Sequence, residues 1–263
     1  MCKINKTLPC THAPTAVTFL NCNNLTVDNL RIKNAPQMHL TFQRSLNVKA
    51  SRLVVTAPEH SPNTDGIHVT ETQNIQIQNC VIGTARTGDD CISIVSGSEN
   101  VEATDITYEP GHGISIGSLG AGGSNDYVSN VMVDRAILTG STTNGLRIKT
   151  WQGGSGYAKN ITFQNVEMHS IRNPIIINQY YCDKKEPLCS EHALAVEVSN
   201  IGYKNITGVS ALEEAINFKC SKSFPCREIW LEDVNLACQE DESVKAFCDS
   251  VELINQGNVS PSC

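Results

Sequence analysis

The run NTDGIHVTETQNIQIQNC, residues 63–80, holds two short alternating strands joined by a polar turn, and both recur along the chain. Ile67 and Val69 alternate with His68 and Thr70, and Ile75 and Ile77 with Gln76 and Gln78. A period of two belongs to a strand, not a helix. The second pattern is an Asn followed by apolar or small residues at its second, fourth and seventh positions. It returns as NLTVDNL from Asn24, NVKASRL from Asn47, NVEATDI from Asn100, NVMVDRA from Asn130, NITFQNV from Asn160 and NIGYKNI from Asn200. The first returns as HLTF at 39–42, CISI at 91–94, GISI at 113–116, GLRI at 145–148, PIII at 174–177 and AINF at 215–218. Repeats of roughly 20 to 30 residues with two strands, Gly and Asn turns and no helical period predict an all-β fold, a single-stranded right-handed parallel β-helix. Stacked coils lie about 4.8 Å apart, so like positions form ladders. Inward ladders are expected at Ile67/Ile92/Ile114/Leu146 and Val69/Ile94/Ile116/Ile148, and an outward one at His68/Ser93/Ser115/Arg147. The repeated Asn is read as a stacked structural ladder whose amides satisfy turn backbone.

Composition bounds what such a solenoid does. The 263 residues, 40% hydrophobic, suit one domain over 1–263, with a Cys-rich tail at 237–263. The net charge of −7 argues against nucleic acid as a partner. No apolar run approaches the ~20 residues that span a bilayer, so no membrane partner is expected either; the domain is expected to be monomeric. Twelve cysteines and the sequons at Asn5, Asn24, Asn160, Asn205 and Asn258 fit a secreted, extracellular protein. Cys182/Cys189, Cys220/Cys226 and the tail cysteines Cys238, Cys248 and Cys263 read as staples. No Cys and His spacing reads as a zinc site, and neither metal nor cofactor is expected.

Three motifs run straight into strands of the first pattern: NTDG at 63–66, TGDD at 87–90 and GHG at 111–113. Asp65, Asp90 and His112 fall in one slot on consecutive coils, Asp89 sits one residue before Asp90, and Arg147 and Lys149 point outward from the next coil. All six are expected in one groove. Three carboxylates so close cannot all ionise easily, so one should keep a proton while the others stay charged, a general acid beside a general base. The two cations suit an anionic substrate. His68 points outward nearby and is read as solvated.

NTDG, GDDCISI, GHGISIGSLG and RIKT, in that order on consecutive coils, resemble the polygalacturonases of glycoside hydrolase family 28, in particular the plant endo-acting branch. The resemblance implies a hydrolase of the α-1,4 bonds of polygalacturonate in pectin, inverting and without a cofactor. It implies Asp89 as the acid, Asp65 and Asp90 as the pair that activates water, and His112 as support for the protonation state of Asp89. Arg147, Lys149 and Tyr181, with Asn63 and Gly113, would contact the galacturonate. Two carboxylates with a water between them are the general logic of inverting hydrolysis. Alternatives from other classes are a catalytically impaired pectin-binding or allergen-type protein, and a related rhamnogalacturonan hydrolase or a pectate lyase.

Departures from the family pattern carry their own expectations. Tyr108 and Glu109 stand where relatives have a Cys and a small residue, so Cys91 should lack a partner. Thr84–Arg86 reads as an insertion before the Asp pair. If the turn absorbs it as a bulge, the ladder survives; otherwise Asp89 and Asp90 leave the line of Asp65. Met1 precedes text that lies well inside relatives, so the signal peptide and first coils are expected to be missing.

Overall fold

The computed structural model describes residues 13–58, 61, 64–85, 88–108, 110–139, 143–182, 191–239 and 243–263. Among these the chain winds through two long sheets in which every strand pairing is parallel. A nine-stranded sheet runs coil by coil from Val17–Leu20 through Leu40–Gln43, Ile67–Thr70, Ile92–Ile94, Ile114–Leu119, Asn144–Thr150, Asn173–Asn178 and Glu214–Lys219 to Lys245–Asp249. An eleven-stranded sheet, with long members such as Gln73–Gly83, Ser98–Tyr108 and Asn125–Leu138, closes the other side. Parallel crossovers of this kind wind right-handed, and the expected β-helix is what the chain forms. The described residues contain a single 3₁₀ turn, Ala121–Gly123.

Alternation places the core. Ile67 pairs with Ile92, Ile92 with Ile114 and Ile114 with Leu146, and the row continues through Ile175 to Ile216. Val69, Ile94, Ile116 and Ile148 form the second expected row, which goes on to Ile177 and Phe218. All of these side chains are fully buried. Each inward rung is therefore a layer of large aliphatic or aromatic side chain, and burying one stabilises by about 1.5–3 kcal/mol. The outward row His68, Ser93, Ser115 and Arg147 is also in register.

The repeated asparagines stack, but their amides bond to each other rather than to turn backbone. Asn47 Nδ2 donates to Asn24 Oδ1 at 3.1 Å, Asn74 to Asn47 at 3.0 Å and Asn100 to Asn74 at 2.9 Å. Asn130, Asn160 and Asn200 extend the file in the same sense. Each of the seven has a positive φ, between 52° and 56°. That left-handed bend is tolerated best by Gly and Asn, and it turns the strand so that successive amides face along the axis.

Two expected staples form, Cys220–Cys226 and Cys248–Cys263. Cys238 is unpaired, so the tail is closed by its other two cysteines. Cys189 lies outside the described residues. Cys91 is buried and unpaired, as the Tyr108 replacement implied. Tyr108 fills the space with a fully buried ring whose Oη has no hydrogen-bond partner. Burial drives its phenol well above the usual range, with Cys91 and Cys80 adding to the effect. A buried hydroxyl without a partner lowers stability by about 1–3 kcal/mol. Tyr108→Phe is accordingly expected to stabilise the protein by about 1 kcal/mol, read as a higher urea midpoint at an unchanged slope.

Candidate active site

The site forms where three turns enter the nine-stranded sheet. Asp65 and Asp90 each precede by two residues a strand whose first members, Ile67 and Ile92, are paired. The two carboxylates therefore sit on adjacent coils. Gly66 N–H donates to Asp90 C=O at 3.0 Å, and His112 N–H donates to Asp89 C=O at 3.2 Å, so backbone bonds fasten the turns across three coils. The turn at Thr84 and Ala85 is closed by local bonds. Ala85 takes a positive φ of 73°, Gly88 N–H bonds back to its carbonyl at 3.2 Å, and Thr84 Oγ1 donates to Asp89 C=O at 2.6 Å. Arg86 itself lies outside the described residues. The ladder stays in register across this turn, with Ile67 paired to Ile92.

Gly113 is fixed by geometry. Its φ is +69°, and a Cβ would lie 2.1 Å from Gly145 O and 2.3 Å from Asn144 O. Its carbonyl also accepts from Cys91 N–H at 2.8 Å. Any side chain here would push the His112 coil away from the Arg147 coil.

Asp90 is the anchor. Its side chain is 2% exposed, and it accepts from Arg147 (2.6 Å) and Ser115 Oγ (2.7 Å) on one oxygen and from Lys149 Nζ (2.9 Å) on the other. Arg147 also donates through Nε to Ser115 Oγ at 3.0 Å. Asp65, nearly as buried, accepts from Ser93 Oγ at 2.9 Å, and His68 Nδ1 lies 2.5 Å from that hydroxyl and 3.4 Å from Asp65 Oδ2. Asp89 is the most open of the three, with His112 Nδ1 3.7 Å from its Oδ1. Tyr181 stands beside Lys149, whose Nζ is 5.4 Å from the ring centroid, and is braced edge-on by Trp151 at 5.6 Å. Tyr180 turns the other way, toward Lys219.

All six groups expected in one groove are brought together, and Tyr181 joins them. Asn63 lies outside the described residues. His68 is not solvated: it is half-buried against Ser93 and Asp65. The serines were missed as site residues, although a signal exists. His68, Ser93 and Ser115 each follow Asp65, Asp90 and His112 by three residues, the first outward slot of each strand. From that slot Ser93 and Ser115 each reach back to the carboxylate of the preceding coil.

The proton is held unevenly. Burial raises Asp65 above the ordinary carboxylate value of 3.8; contact with His68 opposes this, and the charges of Asp89 and Asp90 add to the rise. Burial also pushes Asp89 upward, but its contact with His112 and the charges of Lys149, His112 and Arg147 outweigh that, and it ends below 3.8. Of these two carboxylates Asp65 is therefore the weaker acid and Asp89 the stronger. Folding takes up a proton at such a group, so ionised Asp65 works against the fold. That penalty is absent below 3.8, grows as pH rises toward the folded-state value and is constant above it. Asp65→Asn should raise the melting temperature at neutral pH and leave it little changed well below pH 3.8, as paired thermal melts would show.

Asp89, Asp90 and His112 each offer a ligand atom within 4.8 Å of the others. Both oxygens of Asp90 already face cations, so the charge a metal would need is neutralised there. The arrangement suits proton transfer to and from an anionic substrate better than metal ligation.

The match to known proteins is consistent along the whole chain. The model of the family described as Glycosyl hydrolases family 28 matches residues 1–260. Polygalacturonase QRT2 of Arabidopsis thaliana is 62% identical over 263 residues, covering 100% of this chain and 59% of that protein. A polygalacturonase of Malus domestica is 59% identical over 263 residues, covering 100% of this chain and 55% of its own length. The chain thus spans a little over half the length of these curated relatives. Among solved structures, a polygalacturonase from Erwinia carotovora ssp. carotovora superposes with a TM-score of 0.71 at 25% identity, over 96% of this chain and 62% of that one. An endo-xylogalacturonan hydrolase from Aspergillus tubingensis, at 20% identity and a TM-score of 0.75 over 97% of this chain and 71% of its own, shares the fold.

Proposed function

The chain belongs to the glycosyl hydrolases of family 28, and from that premise we propose that it hydrolyses the α-1,4 bonds between galacturonic acid residues of pectin, inverting the anomeric carbon. The observation that carries the reading is the placement of Asp65, Asp89 and Asp90 on adjacent coils beside Arg147 and Lys149. Acids on one side and cations on the other suit a bond between two uronates.

In this reading Asp89 gives its proton to the glycosidic oxygen, and Asp65 and Asp90 orient and deprotonate the water that attacks from the opposite face. Asp89 must first be protonated, although its contact with His112 and the charges of Lys149, His112 and Arg147 outweigh burial and make it a stronger acid than usual. The substrate supplies the change. A galacturonate carboxylate that takes up Arg147 and Lys149 removes cations that kept Asp89 charged, and adds a negative charge near it. Proton affinity then shifts from Asp65 to Asp89, and His112 holds the acid in place. Tyr181, Asn63 and Gly113 complete the contacts to the sugar. Each step is a proton transfer or displacement that these side chains carry out without a cofactor.

The outward rows continue on both sides of the catalytic coils, through Thr41 in one direction and Ile176 and Asn217 in the other, which favours endo action. The cysteines, the sequons and the disulfides Cys220–Cys226 and Cys248–Cys263 support secretion to the cell wall. The test is incubation of the oxidised protein with de-esterified polygalacturonate. Release of reducing ends as a ladder of oligomers, with the new anomer of inverted configuration by NMR, is expected. Monomer alone would make it exo-acting, and pectate binding without release would replace the hydrolase by a pectin-binding protein.

A further inference from the structure

We infer that the groove holds a second uronate carboxylate two coils beyond the catalytic centre, at Lys219 with Tyr180 beside it. The inference rests on the galacturonan reading above and extends it to chain length. Parallel pairing puts Lys149, Asn178 and Lys219 in one outward slot on three consecutive coils. Lys219 Nζ lies 5.3 Å from the Tyr180 centroid, and Lys149 Nζ lies 5.4 Å from the Tyr181 centroid. An ammonium backed by a tyrosine ring thus occurs twice along one line.

The two copies differ in what holds their charge. Lys149 is bound by Asp90 at 2.9 Å and is nearly buried. Lys219 is exposed and makes no ion pair among the described residues. Its next neighbour in the row is Asp249, whose Oδ1 accepts from Ser250 Oγ. A carboxylate there repels a further uronate, so the anionic run should end at Lys219. On the coil between the cations, beside Asn178, the neighbouring outward row of Arg147 and Asn217 presents Ile176, half-buried, an apolar seat for the C–H face of a pyranose.

Spacing selects the ligand. Two strand spacings separate Lys149 from Lys219, about 10 Å. One 1,4-linked pyranose is close to one spacing long, and in an extended chain alternate residues turn their carboxylates to the same side. The pair of lysines would therefore be read by every second uronate of an unesterified run. A neutral or methyl-esterified residue at that position would leave Lys219 unanswered.

The test is calorimetric binding of sulfur-linked, non-hydrolysable digalacturonate and hexagalacturonate to wild type, Lys219→Gln and Lys219→Arg, with cleavage of ordinary polygalacturonate by the wild type run alongside. Lys219→Gln is expected to weaken the hexamer about fivefold and leave the dimer unchanged, whereas Lys219→Arg keeps the hexamer's affinity. Tyr180→Leu should weaken the hexamer in part, again without effect on the dimer. Equal hexamer affinity in wild type and Lys219→Gln overturns the site, as does an equal loss on dimer and hexamer, which would mark a general charge effect. Wild type that cleaves while Lys219→Gln binds normally refutes this site alone. Wild type that binds with the predicted length dependence but does not cleave refutes the hydrolase and keeps the site. Wild type that binds no galacturonan refutes both.

Discussion

Asp89→Asn is expected to lower kcat on polygalacturonate by about 10²–10⁴-fold without raising KM. The loss follows from the role proposed for this carboxyl: an amide has no proton of suitable acidity to give to the leaving oxygen. The fold should be unharmed. Asp89 is the most open of the three carboxylates, its side chain 27% exposed, and among the described residues the one basic side chain within 4 Å of it is His112. Its net depressed acidity means that ionised Asp89 stabilises the folded state above pH 3.8, a contribution lost as pH falls through its folded value. Exposure keeps that contribution small. Removing a negative charge from an anion-binding groove should also tighten substrate binding. Initial rates of reducing-end release across substrate concentration, with thermal melts of the same preparation, separate the two effects. A fall in kcat with KM unchanged or lower supports the acid role; normal turnover in Asp89→Asn would move that role to Asp65, which burial makes the weaker acid.

Asp90→Asn should fail differently, in stability as well as in turnover. Asp90 is almost wholly buried and balances two cations, of which Lys149 is 8% exposed. Neutralising the acid leaves that ammonium buried without a counter-charge, and breaking a buried pair from one side destabilises by about 3–5 kcal/mol. Arg147 has more access to water and can turn outward, so the larger part of the loss belongs to Lys149. The double variant Asp90→Asn/Lys149→Met should recover most of the stability, because no unpaired charge remains, and none of the hydrolysis. Urea denaturation of the two single variants and the double variant gives the coupling energy directly. If Asp90→Asn alone unfolds at the wild-type midpoint, the pair is not what holds these coils.

Much of this site could be read before any fold was known, because a parallel solenoid converts repeat alignment into proximity. Once Ile67, Ile92 and Ile114 were aligned, Asp65, Asp90 and His112 had to lie on neighbouring coils. The same alignment placed Arg147 next in the outward row. What stayed hidden depends on side-chain direction and on competition between charges. Nothing in the sequence says that Arg147 and Lys149 both close on Asp90, or that burial raises Asp65 while the neighbours of Asp89 lower it. Those outcomes turn on burial and on distances of a few ångströms, which alternation does not encode. His68 was misjudged for a related reason. An outward position on an isolated strand faces water, but here the next coil offers Ser93 to meet it. The asparagines show the same limit: their stacking follows from the repeat, whereas their choice of each other over the turn backbone follows from the left-handed bend at each one.

The turn at Thr84 and Ala85 has a bearing on how far this catalytic geometry can be adjusted. The separation between Asp65 and the Asp89–Asp90 pair is set by main-chain hydrogen bonds between coils, so it comes in whole steps. Lengthening a turn changes what stands over the groove and leaves the step untouched. A point substitution can delete a role or retune a proton, but it cannot draw the carboxylates closer together. Chemistry that needs a different spacing would require an acid on another coil, which makes the stereochemical outcome a property of the backbone lattice rather than of any one side chain.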